Sequence, residues 1–95
     1  MKPYLWNNEK NERLKQERGI SFGDVLDAID RGGLLDNYQH PNQTTYPGQY
    51  IMIVRIKEYV YLVPYIEDKE KYFLKTIVPS RKAKKKYMSL RKESL

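Results

Sequence analysis

The chain has 95 residues, of which 40% are hydrophobic, 32% are charged and none is cysteine. This composition is typical of a globular protein with a well-solvated surface, and we expect residues 1–95 to form a single domain. The lack of cysteine excludes disulfides, thiolate metal sites and cysteine nucleophiles. The longest near-apolar stretch, residues 59–66, is far shorter than the roughly 20 residues that span a bilayer. We therefore expect a soluble, cytoplasmic protein without a membrane partner.

The N-terminal third predicts two helices. Asn7 or Asn8 is a suitable N-cap for a polar helix that ends near Arg18, just before a glycine. Ser21 then begins a second helix with a capping-box pattern, whose apolar residues recur at helical spacing. We expect this second helix to end at the glycine pair 32–33.

The middle of the chain predicts a sheet. Residues 34–38 fit a short strand, and runs rich in Ile, Val and Tyr predict strands over 50–56, 59–66 and 72–78. The gaps between these runs are too short for helical crossovers, which indicates an antiparallel meander. Pro64 cannot donate a ladder hydrogen bond, so it belongs at a bulge, a strand end or an unpaired edge.

The C-terminal segment predicts a basic helix over 81–92, with Ser80 as its cap. Ala83, Tyr87 and Leu90 form a narrow apolar stripe on this helix, which can dock on the rest of the domain. The order of elements predicts an α+β fold. Two N-terminal helices and a C-terminal basic helix would pack on an antiparallel sheet of three to four strands.

The positive charge of the chain is concentrated near its C-terminus. Residues 75–95 contain eight Lys and Arg against one Glu, a net charge of +7, whereas residues 1–74 contain ten against eleven, a net charge of −1. Positive charge concentrated on one segment creates a local electrostatic field, which attracts a polyanion far better than scattered charge does. Nucleic acid is the leading candidate partner.

Two motifs at opposite ends of the chain carry a family resemblance. Trp6 and Lys10 are followed by Gly-Ile-Ser-Phe at residues 19–22, and residues 77–83 read Ile-Val-Pro-Ser-Arg-Lys-Ala. Together, and in this element order, they resemble the BrnT family of bacterial toxins. The resemblance implies a RelE-like fold and a ribonuclease that needs no metal or cofactor, in which the 2′-hydroxyl of RNA attacks the adjacent phosphate. It also implies a neutralising antitoxin, of the ribbon-helix-helix type, encoded by an adjacent gene.

Three cations are candidates for the catalytic site. Arg81 lies where strand meets helix, so its guanidinium and a helix N-terminus can converge on one phosphate. Arg18 and Lys10 lie on one face of the first helix, about 12 Å apart along its axis, and can contact phosphates on either side of a scissile bond. The alternative is a structural ion pair, of Arg81 with Glu17, or of Lys10 and Arg18 with glutamates of their own helix.

Other residues are candidates for binding RNA. Each phosphate that a bound cation neutralises steepens the slope of log K against log salt by about 0.7 for a single strand. The lysine run at positions 82 and 84–86 could track an RNA backbone, and it fits a solvated face or a docking site for an acidic antitoxin equally well. Most of the nine tyrosines are predicted to be strand and core residues, with Tyr72 and Tyr87 as candidates to stack on bases. The cations predicted to bind RNA are Lys75, Lys82, Lys85, Lys86 and Arg55.

The proton-transfer groups are left open by the sequence. His40 is the only histidine and lies in a His-Pro loop, where a turn residue is a better interpretation than a catalytic base. A lone histidine does not indicate a metal site. Where the BrnT family usually has Lys-His before its glycine, this chain has Glu17-Arg18. The alternative function is therefore a non-catalytic module that binds nucleic acid or an antitoxin.

Overall fold

The computed structural model describes the backbone of residues 2–93 and the side chains of residues 2–88. This part of the chain contains three helices and six strands, which confirms a mixed α+β architecture. None of these helices is both long and apolar enough to cross a membrane. The elements, in chain order, are β1 (Tyr4–Leu5), α1 (Asn8–Arg18), α2 (Phe22–Asp30), β2 (Leu34–Gln39), β3 (Gln49–Ile56), β4 (Tyr59–Glu67), β5 (Tyr72–Leu74), β6 (Val78–Pro79) and α3 (Arg81–Glu93).

Local signals set the bounds of the two N-terminal helices, as the sequence predicted. The Asn7 side chain accepts a hydrogen bond from the Lys10 N–H at 2.9 Å and caps α1. Gly19 ends α1 in the left-handed conformation at φ 66°, which glycine adopts without steric cost. At the start of α2, Ser21 and Asp24 form a complete capping box, each side chain accepting from the other residue's N–H.

The described strands form one sheet in the order β1-β5-β4-β3-β2, and β6 pairs with β4. The pairs of β4 with β3, β5 and β6 are antiparallel, whereas β1 runs parallel to β5. The prediction of three to four strands, all antiparallel, is therefore wrong. β1 was not predicted, and β6 overlaps the predicted strand over 72–78 only at Val78. Each has two residues, which is too short for an alternating pattern to reveal it.

The predicted strand over 72–78 is interrupted in the structure, because only its two ends pair with β4. Tyr65 pairs with Leu74 in β5, and Leu62 pairs with Val78 in β6. Between them, the Lys75 N–H donates to the Pro64 carbonyl at 2.9 Å. Pro64 has no N–H to return the second bond of this pair, so the ladder breaks here. The position agrees with the expectation that Pro64 would lie at an irregularity.

Helices cover both faces of the sheet. Phe22 and Val25 of α2 are completely buried on one face, and each burial of this kind contributes about 1.5–3 kcal/mol. Ala83 of α3 is buried on the other face. The first buried cluster comprises Leu14, Ile20, Phe22, Val25, Ala28, Met52, Val54, Val63, Tyr65, Leu74 and Ile77. The second comprises Ile53, Val60 and Ala83, with Tyr87 and Met88 half-buried against it.

The predicted Ser80 cap of α3 is present, since its Oγ accepts from the Ala83 N–H at 3.1 Å. The predicted apolar stripe of α3 is confirmed at Ala83 and Tyr87. The side chain of Leu90, its third predicted member, lies outside the described residues.

Candidate nucleic-acid interface

A hydrogen bond links the end of α1 to the segment that leads into α3 at one corner of the molecule. Arg18, the last residue of α1, donates from Nη1 to the carbonyl oxygen of Ile77 at 2.6 Å. Ile77 lies four positions before Arg81, the first residue of α3. Ser80 fixes this turn of the chain, because its N–H donates to the Val60 carbonyl at 3.0 Å. Arg18 and Arg81 are both exposed. We call these two arginines, together with residues 77–80, the arginine corner.

The ion pairs that the sequence left open as structural alternatives do not form among the described residues. Four ion pairs occur there, and none contains Lys10, Arg18 or Arg81. Glu17, the suggested partner of Arg81, is exposed. In this part of the chain the two guanidinium groups of the corner thus keep donors for an anionic ligand, apart from the bond that Arg18 makes to Ile77.

An open groove of about 730 Å³ is lined in part by Gly19, the residue directly after Arg18. It runs between α2, the glycine turn at residues 32–33, the β3–β4 hairpin and one side chain of α3. This volume lies within the range of small-ligand sites in proteins. The residues that line it are Gly19, Ile20, Asp24, Asp27, Ala28, Arg31, Gly32, Gly33, Leu35, Arg55, Ile56, Lys57, Glu58, Tyr59, Tyr61 and Lys84.

Two tyrosines and a lysine form one end of the groove. The rings of Tyr59 and Tyr61 have centroids 5.6 Å apart and planes inclined at 60°. The Lys84 Nζ lies 5.0 Å from the centroid of the Tyr59 ring, within range for a cation–π contact. We call these three residues the aromatic shelf. All three side chains are half-buried, so the rings are held in place and still reach the groove.

The shelf and the arginine corner adjoin each other through the backbone. Tyr61 pairs directly with Pro79 of β6, two residues before Arg81. Lys84 lies three residues after Arg81, so the two side chains are neighbours on α3. The corner and the groove are therefore linked by the β4–β6 pairing and by the first turn of α3.

The charges of the groove separate into two ends. At the α2 end, Asp24 accepts from the Ser21 N–H at 2.9 Å, and Asp27 pairs with Arg31 at 3.2 Å. These carboxylates already have partners. The hairpin end has three cations and one carboxylate, and this net positive charge favours the binding of an anion there. The hairpin-end residues are Arg55, Lys57, Lys84 and Glu58.

The other predicted cations lie away from the corner or on its rim. Lys75 donates to the Gln49 side chain at 3.3 Å, at the end of β3 that is remote from the hairpin. Lys10 lies in the first turns of α1, eight residues before Arg18. The remaining three cations predicted to bind RNA are exposed on α3, and one of them lies 5.3 Å from the Tyr87 ring. These three are Lys82, Lys85 and Lys86.

His40 lies at the end of the sheet that is remote from the β3–β4 hairpin. Its N–H donates to the Gln49 carbonyl at 2.8 Å, and its Nδ1 accepts from the Asn42 N–H at 3.0 Å. Its ring lies 4.4 Å from that of Tyr46. Strand β3, which has eight residues, separates it from the hairpin by about 23 Å, at roughly 3.3 Å per residue. These contacts are those of a loop residue, as the sequence indicated.

Tyr72 and Tyr87, the predicted candidates for base stacking, are engaged in contacts within the protein. The Tyr72 ring stacks on Tyr4 at 4.9 Å. The Tyr87 hydroxyl donates to Asp36 Oδ2 at 2.7 Å, and this bond raises the pKa of Tyr87 to about 12. The same bond is the largest cause that lowers the pKa of the Asp36 carboxyl.

Sequence reasoning missed the aromatic shelf. Tyr59 and Tyr61 are two residues apart in a strand, so they lie on one face, but this pattern equally describes a packed strand. The signal that distinguishes them is the approach of Lys84 from a helix, which only the folded chain shows. Among the described residues, no group of three or more His, Cys, Asp or Glu side chains is arranged to hold a metal ion.

Comparisons with known proteins identify the fold. No protein-family model and no curated protein sequence matches the chain. In structure, the chain is similar to the crystal structure of BrnT, a ribonuclease toxin from Brucella abortus. The TM-score is 0.62, and the alignment covers 86% of this chain and 100% of that one.

The two sequences are 12% identical, so this likeness shows the fold alone. The predicted BrnT-like fold is confirmed at this level.

Proposed function

We propose that the chain is the toxin of a bacterial type II toxin–antitoxin pair, a single-domain ribonuclease of the RelE-like class. The observation that supports this most is the structural similarity to a ribonuclease toxin over that toxin's whole length. The arginine corner and the adjoining groove give this fold a cationic surface that suits single-stranded RNA.

The proposed reaction needs no metal ion and no cofactor. The 2′-oxygen of one ribose forms a bond to the adjacent phosphorus, and the bond from phosphorus to the 5′-oxygen breaks. The 2′-hydroxyl gives up a proton and the leaving 5′-oxygen receives one, which yields a 2′,3′-cyclic phosphate and a 5′-hydroxyl. Negative charge accumulates on the phosphate oxygens in the transition state, where fixed cations stabilise it.

The two arginines of the corner are proposed to act on the phosphate, and the other cations are proposed to hold the strand. Arg81 stabilises the charge on the attacked phosphate, and Arg18 holds the same or the neighbouring phosphate. Lys10 contacts the strand further along α1. Five further cations are proposed to hold the RNA backbone, namely Lys75, Lys82, Lys85, Lys86 and Arg55.

The proposed partner is an antitoxin of the ribbon-helix-helix type encoded by an adjacent gene. We further propose that the pair acts in the cytoplasm, where its RNA substrate is found. The exposed cations of α3 supply a surface on which an acidic antitoxin segment can bind.

A second candidate is a module that binds RNA without cleaving it. One observation favours it: the single histidine of the chain lies at the far end of the sheet from the arginine corner. A site of arginines and lysines can hold RNA without a group suited to proton transfer near neutral pH.

A cleavage assay with purified protein separates these candidates. The chain is incubated with single-stranded RNA in excess EDTA, and the products are analysed for 2′,3′-cyclic phosphate ends. We expect cleavage, and a loss of about 10²- to 10³-fold in rate for Arg81→Ala. Lys69→Ala is the matched control, because Lys69 is an exposed cation in the β4–β5 turn. Intact RNA that is nevertheless bound would support the second candidate and contradict the first.

A further inference from the structure

The aromatic shelf has features that core packing does not account for. Tyr61 packs against the first buried cluster, but Tyr59 is not among the residues packed on either cluster. The Tyr59 ring instead contacts the Tyr61 ring and the Lys84 ammonium group. A half-buried tyrosine held in this way beside a groove presents an aromatic surface to whatever enters the groove.

We propose that the aromatic shelf binds one nucleotide of single-stranded RNA, with its base against the tyrosine rings. The identity of this ligand rests on the proposed function. Aromatic side chains combined with a cationic track are the usual means of binding single strands, since every base has a π-face to stack. The phosphate of this nucleotide lies against Arg55 and Lys84, at the cationic end of the groove.

The position of the shelf makes the nucleotide a neighbour of the scissile bond. Gly19, directly after Arg18, lines the groove, and Tyr61 of the shelf pairs with Pro79, two residues before Arg81. A strand whose phosphate is held by Arg18 and Arg81 therefore places an adjoining base over the groove. Stacking there would fix the strand relative to the corner.

An acidic protein segment is the competing ligand for the same groove. Its carboxylates would be attracted by Arg55 and Lys84, but the tilted pair of tyrosines would add little to binding a carboxylate. The planar surface of a base makes use of both the rings and the cations, so the observations favour RNA.

Binding to a non-cleavable strand tests this proposal. A fluorescently labelled single-stranded RNA with 2′-O-methyl groups lacks the attacking hydroxyl, so binding is measured apart from cleavage. We expect Tyr59→Leu to weaken binding by at least about fivefold, the lower end of the range for base–aromatic stacking. Tyr59→Phe, which keeps the ring, should remain close to the original affinity. Tyr38→Leu is the matched control, because Tyr38 is 40% exposed and lies on β2, away from the groove.

A second variant tests the cation of the shelf. Lys84→Gln should weaken binding and reduce the slope of log K against log salt by about 0.7, the value for one phosphate contact on a single strand. Circular dichroism of each variant establishes that the fold is retained.

The outcomes separate the shelf from the proposed function. Unchanged affinity in folded Tyr59→Leu, equal losses in the Leu and Phe variants, or no binding of the strand would overturn the shelf. Affinity that depends on the ring, in a protein that leaves ordinary RNA intact, would support the shelf and contradict the ribonuclease. Cleavage of ordinary RNA that does not depend on Tyr59 would support the ribonuclease and contradict the shelf.

Discussion

Tyr87 joins α3 to the edge of the sheet through a single hydrogen bond. Its hydroxyl donates to Asp36 Oδ2 at 2.7 Å, and the N–H of Asn37 donates to the other oxygen of this carboxyl at 2.8 Å. Lys86 also lies close enough to lower the pKa of Asp36. The carboxylate is thus held by three groups that all favour its charged form.

The two pKa shifts define the pH range in which this bond stabilises the fold. The pKa of Asp36 is lowered from 3.8, so its contribution is present above pH 3.8 and is lost as the pH falls through the folded value. The pKa of Tyr87 is raised from 10.0 to about 12, so its contribution is present below pH 10.0 and is lost as the pH rises towards 12. The bond therefore acts throughout the neutral range.

Removing the Tyr87 hydroxyl should release the carboxyl of Asp36. In Tyr87→Phe we expect the pKa of Asp36 to rise towards 3.8, because the lost hydrogen bond is the largest cause of the shift. A carbon-13 NMR titration of the carboxyl carbon measures this directly. Tyr38→Phe removes another hydroxyl two residues from Asp36 and should leave the shift in place. An Asp36 pKa that is the same with and without the Tyr87 hydroxyl would show that the bond does not form in solution.

At the level of elements, Gly33 fastens the end of α2 to the end of β3. Its N–H donates to the Ala28 carbonyl at 2.7 Å, and its carbonyl accepts from the Arg55 N–H at 2.8 Å. A Cβ at this position would lie 2.6 Å from the Arg55 carbonyl oxygen and 2.8 Å from that of Ala28. This close approach forms one wall of the groove.

Two glycine substitutions should therefore differ in cost. Gly19→Ala places a side chain at φ 66° but meets nothing within 4 Å, so we expect a loss of about 1–2 kcal/mol from backbone strain alone. Gly33→Ala forces two backbone segments apart, and we expect it to lower the free energy of unfolding by more, about 2–3 kcal/mol. Urea denaturation measures both. A Gly33→Ala loss no larger than that of Gly19→Ala would show that α2 and β3 are not held this closely.

The elements also show what the sequence can and cannot predict. The caps at Asn7, Ser21 and Ser80 were predictable because each depends on residues within one turn. The interruption of the third predicted strand was not, because it depends on Pro64 lying opposite in β4. The predicted order of helices and of the longer strands was correct because hydrophobic period is a property of each segment alone.

The candidate site was predictable only in part, for the same reason. Arg81 and Arg18 were found from the sequence as separate candidates, and the structure brings their segments together through the Ile77 carbonyl. The aromatic shelf needs a strand and a helix to converge, so the contact between Tyr59 and Lys84 carries no signal until the chain is folded. Their roles remain a prediction.

At the scale of the whole molecule, the surplus charge lies along one path. The chain has a net charge of +6, while residues 75–95 alone carry +7. The described part of this segment passes through β6 and the arginine corner into α3, and one of its lysines reaches the groove. A local field of this kind attracts a polyanion, which under the proposed function is RNA.

The measurement that tests the central claim most directly is induced expression in a bacterium, alone and together with the adjacent gene. The readouts are growth and the integrity of total RNA. The proposed function predicts growth arrest with RNA degradation, rescue by the neighbouring gene, and loss of both effects in Arg81→Ala while Lys69→Ala remains toxic. Normal growth and intact RNA, with soluble protein confirmed, would contradict the ribonuclease toxin.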